Sequence, residues 1–390
     1  MTEPAVANSL SAHPARPGLE VRKGNCLALF AYDVGMSIDL LRAERALTAA
    51  QRPEIIRHKR RSPEYFGYQA VPVRAGQAAE PVQLGKFRTS GHVELVLFDF
   101  GAIGVQYTIP IEGPLEDLLE LSDKLYENPA LMADSRRRAE QLVAELRDSI
   151  DRPAMSGFVE DYWVLQIEEL GESEGAATIA TEQELIPRLL GDARHLVARI
   201  LRAELGQLSE DEVDEALSCR ISFAPDDIAL IDWSGAIVVG REMGDVLAVL
   251  EYVNVELLEM RYLDHRLDGA MEMTTSPRVM RGWWPAWPWR SSGAHAMRAV
   301  AELQVDGVRL FEEVNNSLKL LGDQYLARVY KLASKRLHLP EWDAAILRKL
   351  DTIESIYQKM NDFQTSRRLE ALEWIVIILI ATEIVLSFVR

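Results

Sequence analysis

The chain holds two cysteines in 390 residues, Cys26 and Cys219, too few for a disulfide framework and in keeping with a reducing compartment. Its seven histidines are scattered, with no pair four residues apart and no HExxH, and CxxC, GxSxG, GxxxxGK[ST] and GxGxxG are all missing. The usual motif-borne routes to metal, nucleophilic and nucleotide chemistry are therefore absent, so no catalytic residue, metal ligand or cofactor is expected. A scaffolding or binding protein is expected rather than an enzyme, although a site assembled from distant residues would leave no such motif. Nothing apolar in the first twenty residues resembles a signal peptide, and 1–20 reads as a disordered leader. Positive charge is also short: 43 basic residues against 60 acidic ones give a formal net charge of −17, which disfavours broad phosphate binding. The local exception is Arg57, His58, Lys59, Arg60 and Arg61. A contact there with nucleic acid, a ribosome or anionic lipid ranks below a solvated helix end in so acidic a chain.

Glycine and proline vanish over residues 341–390, which predicts one long helix. Ile346, Leu350, Ile353, Tyr357 and Met360 follow at spacings of 4, 3, 4 and 3, a coiled-coil seam for packing or oligomerisation. Beyond Glu373 the helix turns apolar on every side apart from Thr382, Glu383 and Ser387. Residues 371–390 make about 30 Å of helix, so a single transmembrane span containing Trp374, Ile378, Glu383 and Phe388 is expected. The margin is thin. The Ile, Val, Leu and Phe residues favour insertion by about 3 to 7 kcal/mol, whereas an acid near the middle costs about 2.5 to 3.5. Glu383 should therefore face other helices or a wet cavity, or be protonated. With Arg367 and Arg368 on the cytoplasmic side, the expectation is a C-terminal, single-pass anchor in contact with membrane lipids. The competing reading is a helix buried in the core of an oligomer.

Ahead of this helix, 21–243 reads as an α+β head domain. Residues 26–34 (CLALFAYDV) predict a strand; 93–98 and 102–109 predict a hairpin turning near Gly101; 158–170 predicts another strand; 228–233 and 236–240 predict a last hairpin at Ser234-Gly235. Ser209 and Glu212 have capping-box spacing. Arg136, Arg137 and Arg138 would oppose the dipole of a helix starting at Ser135 unless tied to carboxylates. From Gly244 the 4-3-4-3 pattern returns at Val246, Leu250, Val253, Leu257 and Met260, so 244–370 is expected to be a long antiparallel, coiled-coil-like stalk. Its loop, 268–296, carries Trp283, Trp284, Trp287 and Trp289 among prolines, which suits a membrane interface. The expected fold is thus an α+β head, a helical stalk and one C-terminal transmembrane helix.

The second half resembles the required-for-meiotic-nuclear-division family. The resemblance rests on IALIDWSGAIVV through LEYVNVELLEMRYLD (228–264), on GDQYLARVYKLASKRLHLPEW (322–342) and on 366–386. A family pattern is matched by Leu257, Leu258, Glu259, Arg261 and Asp264, and LFDFGAIG resembles the family's hairpin. That resemblance implies a membrane-anchored protein with no established catalytic activity, and its mitochondrial member implies a scaffold supporting organellar translation. The leading expectation is a tail-anchored, self-associating membrane scaffold, a homo-oligomer with room for a protein partner on the head. The alternatives are an oligomeric pore or ion-handling assembly of CorA-like geometry, and a membrane-anchored enzyme of unknown class.

Overall fold

The computed structural model describes residues 18–49, 71–172, 182–275 and 324–389, with a few single residues between 305 and 312. The tryptophans at 283, 284, 287 and 289, the basic run 57–61 and most of the expected leader lie outside the described residues.

The organising layer is an eight-stranded sheet. Its strands are β1 (Leu19–Asp33), β2 (Val73–Ala78), β3 (His92–Leu97), β4 (Ala102–Pro114), β5 (Glu160–Glu172), β6 (Arg220–Ile221), β7 (Ile228–Ile231) and β8 (Gly235–Val239). They stand in the order β6-β7-β8-β5-β1-β4-β3-β2, every pair antiparallel except β8 beside β5. β1 is central and buried on both faces, which explains the unbroken apolar run of its second half. The period of two sorts its side chains: Cys26, Ala28, Phe30 and Tyr32 join one core, Leu27, Leu29 and Ala31 the other.

The first core is covered by six shorter helices: α1 (Leu40–Ala49), α2 (Asp117–Leu125), α3 (Pro129–Glu145), α4 (Glu182–Leu190), α5 (Arg194–Arg202) and α6 (Glu210–Ala216). Helix α3 begins six residues before Ser135, with Asn128 accepting from the amides of Ala130 and Leu131. The arginine triplet therefore sits clear of the first turn, and carboxylates hold all three members: Arg136 on Glu140, Arg137 and Arg138 on Asp134. Gly101 turns the β3–β4 hairpin at φ +97° against the neighbouring loop, where an added Cβ would stand 2.0 Å from the Gly35 carbonyl oxygen.

The second face is covered by α7 (Gly244–Thr275), α8 (Gln324–Arg336) and α9 (Leu339–Val389). This corrects the expected separate stalk. Residues 251–260 of α7 are buried on every side, with β1 and β5 beneath and α8 and α9 above. The seam residues Ile346, Leu350 and Ile353 close onto that same core, so the 4-3-4-3 spacing serves packing within the chain at this point.

A second correction concerns the C-terminus. Among the described residues no helix is long and apolar enough to cross a membrane. The transmembrane span, the tail anchor and the membrane localisation expected from 371–390 are thereby overturned. The physical reason lies in how short the unbroken apolar run is: it covers 374–381 and then meets Thr382 and Glu383, well under the roughly 20 residues a span requires. The fold is α+β: one large mixed sheet between two helical layers.

Candidate functional site

A helix buried all round normally carries only apolar side chains, yet the buried stretch of α7 contains Glu251, Asn254, Glu256 and Glu259. Each carboxyl must find a donor, a cation or a proton to remain there. Glu251 finds a cation. Arg74 of β2 bridges it to Glu94 of β3, donating to the Glu94 Oε2 at 3.0 Å and also to the Glu251 carboxylate. Glu256 finds a donor, the Tyr330 hydroxyl of α8, which stands 3.1 and 3.0 Å from its two oxygens. Burial pushes the Glu256 carboxyl up to about 8, the bond from Tyr330 pulls against this, and the charge of Asp343 adds to it.

Glu259 is different. It is 1% exposed, and among the described residues neither carboxyl oxygen has a hydrogen-bond partner. The group acting on it is Asp33, the last residue of β1 and 3% exposed. Burial raises both carboxyls. Asp33 is pushed up to about 8 against the pull of Arg266, and Glu259 lies well above the carboxylate range through burial and then the charge of Asp33. Two interacting buried acids of this kind bind protons jointly rather than as independent groups.

Around the pair the side chains are more open. Arg261 is ion-paired with Glu160 at the start of β5, and burial still pushes Glu160 up to about 7. Asn254 donates weakly to the Glu160 carbonyl at 3.5 Å. The guanidinium of Arg266 lies 5.7 Å from the Tyr262 ring, and Phe158 meets Tyr262 edge-on and His265 at 5.0 Å. Among the described residues no three His, Cys, Asp or Glu side chains converge to hold a metal. Asp232, fully buried, shows the contrast, since cations answer it: it accepts from Arg336 at 2.6 Å and faces Arg202 at 3.1 Å.

The residues singled out in the sequence separate into three groups. Leu257 and Leu258 are buried packing residues. Glu259 is buried in the core, Arg261 pairs with Glu160 of β5, and Asp264 pairs with Lys349 of α9 at 2.6 Å. On α9, Trp374, Ile378 and Glu383 are exposed, whereas the side chains of Tyr357, Met360, Arg367, Arg368 and Phe388 are outside the described ones. Asp33, Glu256 and Tyr330 were not flagged by the sequence. The legible signal was a glutamate inside VELLEM, where an amphipathic helix would place apolar residues on both sides of it.

The far end of α9 is the other unusual surface. Every residue from 374 to 380 is more than half exposed, from 52% at Val376 and Ile380 to 65% at Trp374, and Leu369, Leu372 and Ile384 are similarly open. Among the described residues nothing covers a face of the helix there.

Residues 23–245 match a family model described as the N-terminal domain of the uncharacterized protein MJ0711. The chain is 20% identical over 297 residues to the uncharacterized protein MJ0711 of Methanocaldococcus jannaschii, an alignment covering 72% of this chain and 85% of that one. No solved structure matches.

Proposed function

The chain belongs to the family of the MJ0711 N-terminal domain, and we propose that it is a self-associating scaffold whose body presents the far end of α9 to further copies of itself. The observation that carries this reading is the fully uncovered apolar stretch 374–380, continuous with a helix whose first half is locked into the body. Patches of that kind on water-facing surfaces mark association sites, and each large aliphatic side chain buried contributes about 1.5 to 3 kcal/mol. Helical spacing selects the contacting positions. Trp374, Ile377, Ala381, Ile384 and Phe388 recur at 3, 4, 3 and 4, a seam free of charge, and Glu383 falls off it. The resemblance of 228–264 and 322–342 to the required-for-meiotic-nuclear-division family agrees with a scaffold, because that family has no established catalytic activity.

Sedimentation of the full chain tests the reading. A concentration-dependent oligomer is expected at micromolar protein, and Ile377→Glu with Ile384→Glu should return it to monomer without altering the circular dichroism of the body. A wild-type chain that stays monomeric, or one that binds liposomes as a monomer, overturns it.

A further inference from the structure

We propose that the far ends of α9 from two copies pair antiparallel, 374–384 of one running against 384–374 of the other, so that two bodies stand at opposite ends of a rod. This rests on the self-association proposed above and gives it a direction. The four seam positions Trp374, Ile377, Ala381 and Ile384 are all exposed in the single chain, so none has to leave another contact to pair. They differ greatly in size. Laid parallel, each residue meets its own copy: Ala381 on Ala381 leaves a gap two layers from a crowded Trp374 on Trp374.

Laid antiparallel about Leu379, Trp374 meets the partner's Ile384 and Ile377 meets the partner's Ala381. Every layer then holds one larger and one smaller side chain, and the volumes even out along the contact. Glu370, next in the row at the same spacing, ends the apolar contact on the side toward the body.

Charge and reach point the same way. The body holds α9 through Ile346, Leu350 and Ile353, and from Ile353 to Leu379 is about 39 Å of helix. Parallel pairing brings the two bodies side by side, although each belongs to a chain of net charge −17. Antiparallel pairing sets their points of attachment about 80 Å apart, many times the roughly 8 Å over which exposed charges interact in physiological salt. A dimer built this way is a spacer that fixes the separation of two identical bodies.

Pulsed dipolar spectroscopy on the full chain reads the direction. A nitroxide is placed on Ser355→Cys in one sample and on Ser366→Cys in another, both exposed positions of α9, while Cys26 and Cys219 are buried. Antiparallel pairing gives about 70 Å between labels at 355, and about 33 Å less at 366, twice the rise of the intervening helix. Parallel pairing gives the same distance at both positions, under about 30 Å, and overturns the proposal while leaving self-association standing. A chain that sediments as a dimer with no dipolar signal at Ser366→Cys overturns it too. A chain that sediments as a monomer removes the self-association as well.

Discussion

Replacing Glu256 by Gln tests whether the polar groups inside α7 are carried as neutral species. The side chain lies between α7, α8 and α9, is 2% exposed, and meets the Tyr330 hydroxyl at both oxygens. Its carboxyl sits at about 8 against an ordinary 4.5, so the folded protein retains a proton that the unfolded chain gives up. Stability therefore falls as pH rises from about 4.5 to 8 and levels off above that. The protonated fraction of the folded state, set against an unfolded chain ionised throughout, gives a loss on the order of 1 kcal/mol between pH 7 and 9 and of about 4 kcal/mol between pH 5 and 9. Gln has the shape of the protonated acid and keeps the acceptor for Tyr330, but it does not titrate. Urea unfolding midpoints of wild type and Glu256→Gln at pH 5, 7 and 9 should converge in acid and diverge in base by these amounts, the variant being the more stable at pH 9. Parallel pH profiles would mean that Glu256 is ionised in the folded protein, and the account of α7 as a carrier of protonated acids would fail with it.

Three further substitutions probe the frame that holds this helix. Gly101→Ala places a methyl 2.0 Å from the Gly35 carbonyl oxygen at a φ of +97°, and should lower stability by about 2 to 3 kcal/mol or more, read as a lowered urea midpoint. Arg74→Leu strands Glu94 and Glu251 as buried, unanswered acids and should cost about 3 to 5 kcal/mol in the same assay, whereas Arg74→Lys, which keeps the charge, should cost less; equal losses would point to packing alone. Ser209→Ala removes the acceptor for the Glu212 amide, 3.3 Å away at the start of α6, and should cost about 1 kcal/mol in the same assay.

Strands and turns were legible where the residues themselves fix the geometry. The hairpins at Gly101 and Ser234-Gly235, the strand now seen as β5 and the Ser209 cap each depend on local spacing, and each is found close to its expected position. The α+β class followed from them. What could not be read is which surface a helix buries. The seam Val246, Leu250, Val253, Leu257 and Met260 predicts a stalk, but it does not show that Glu251, Asn254, Glu256 and Glu259 are buried as well, since the groups that answer Glu251 and Glu256, Arg74 and Tyr330, lie 177 and 74 residues away. The same limit governs the C-terminus. Composition made 371–390 apolar enough to suggest a span, whereas the run is cut at Thr382, whose hydroxyl donates back to the Ile378 carbonyl at 2.8 Å, and at Glu383.

The charges of α7 also explain how so enclosed a helix keeps one position. Leucine and valine faces tolerate sliding by a turn, because one aliphatic contact replaces another at little difference in energy. A buried acid does not, since a shift of one turn would carry Glu251 away from Arg74 and Glu256 away from Tyr330 and leave each uncompensated. Arg261 on Glu160 and Asp264 on Lys349 fix the rotation on the two remaining sides, toward β5 and toward α9. Glu259 is held differently: among the described residues neither of its oxygens has a hydrogen-bond partner, and burial raises its carboxyl well above the carboxylate range, so like Glu256 it stays in place as a protonated acid. A change in pH thus acts on this helix through Glu256 and Glu259, while Arg74, Glu160 and Lys349 hold it by ion pairs on its other sides.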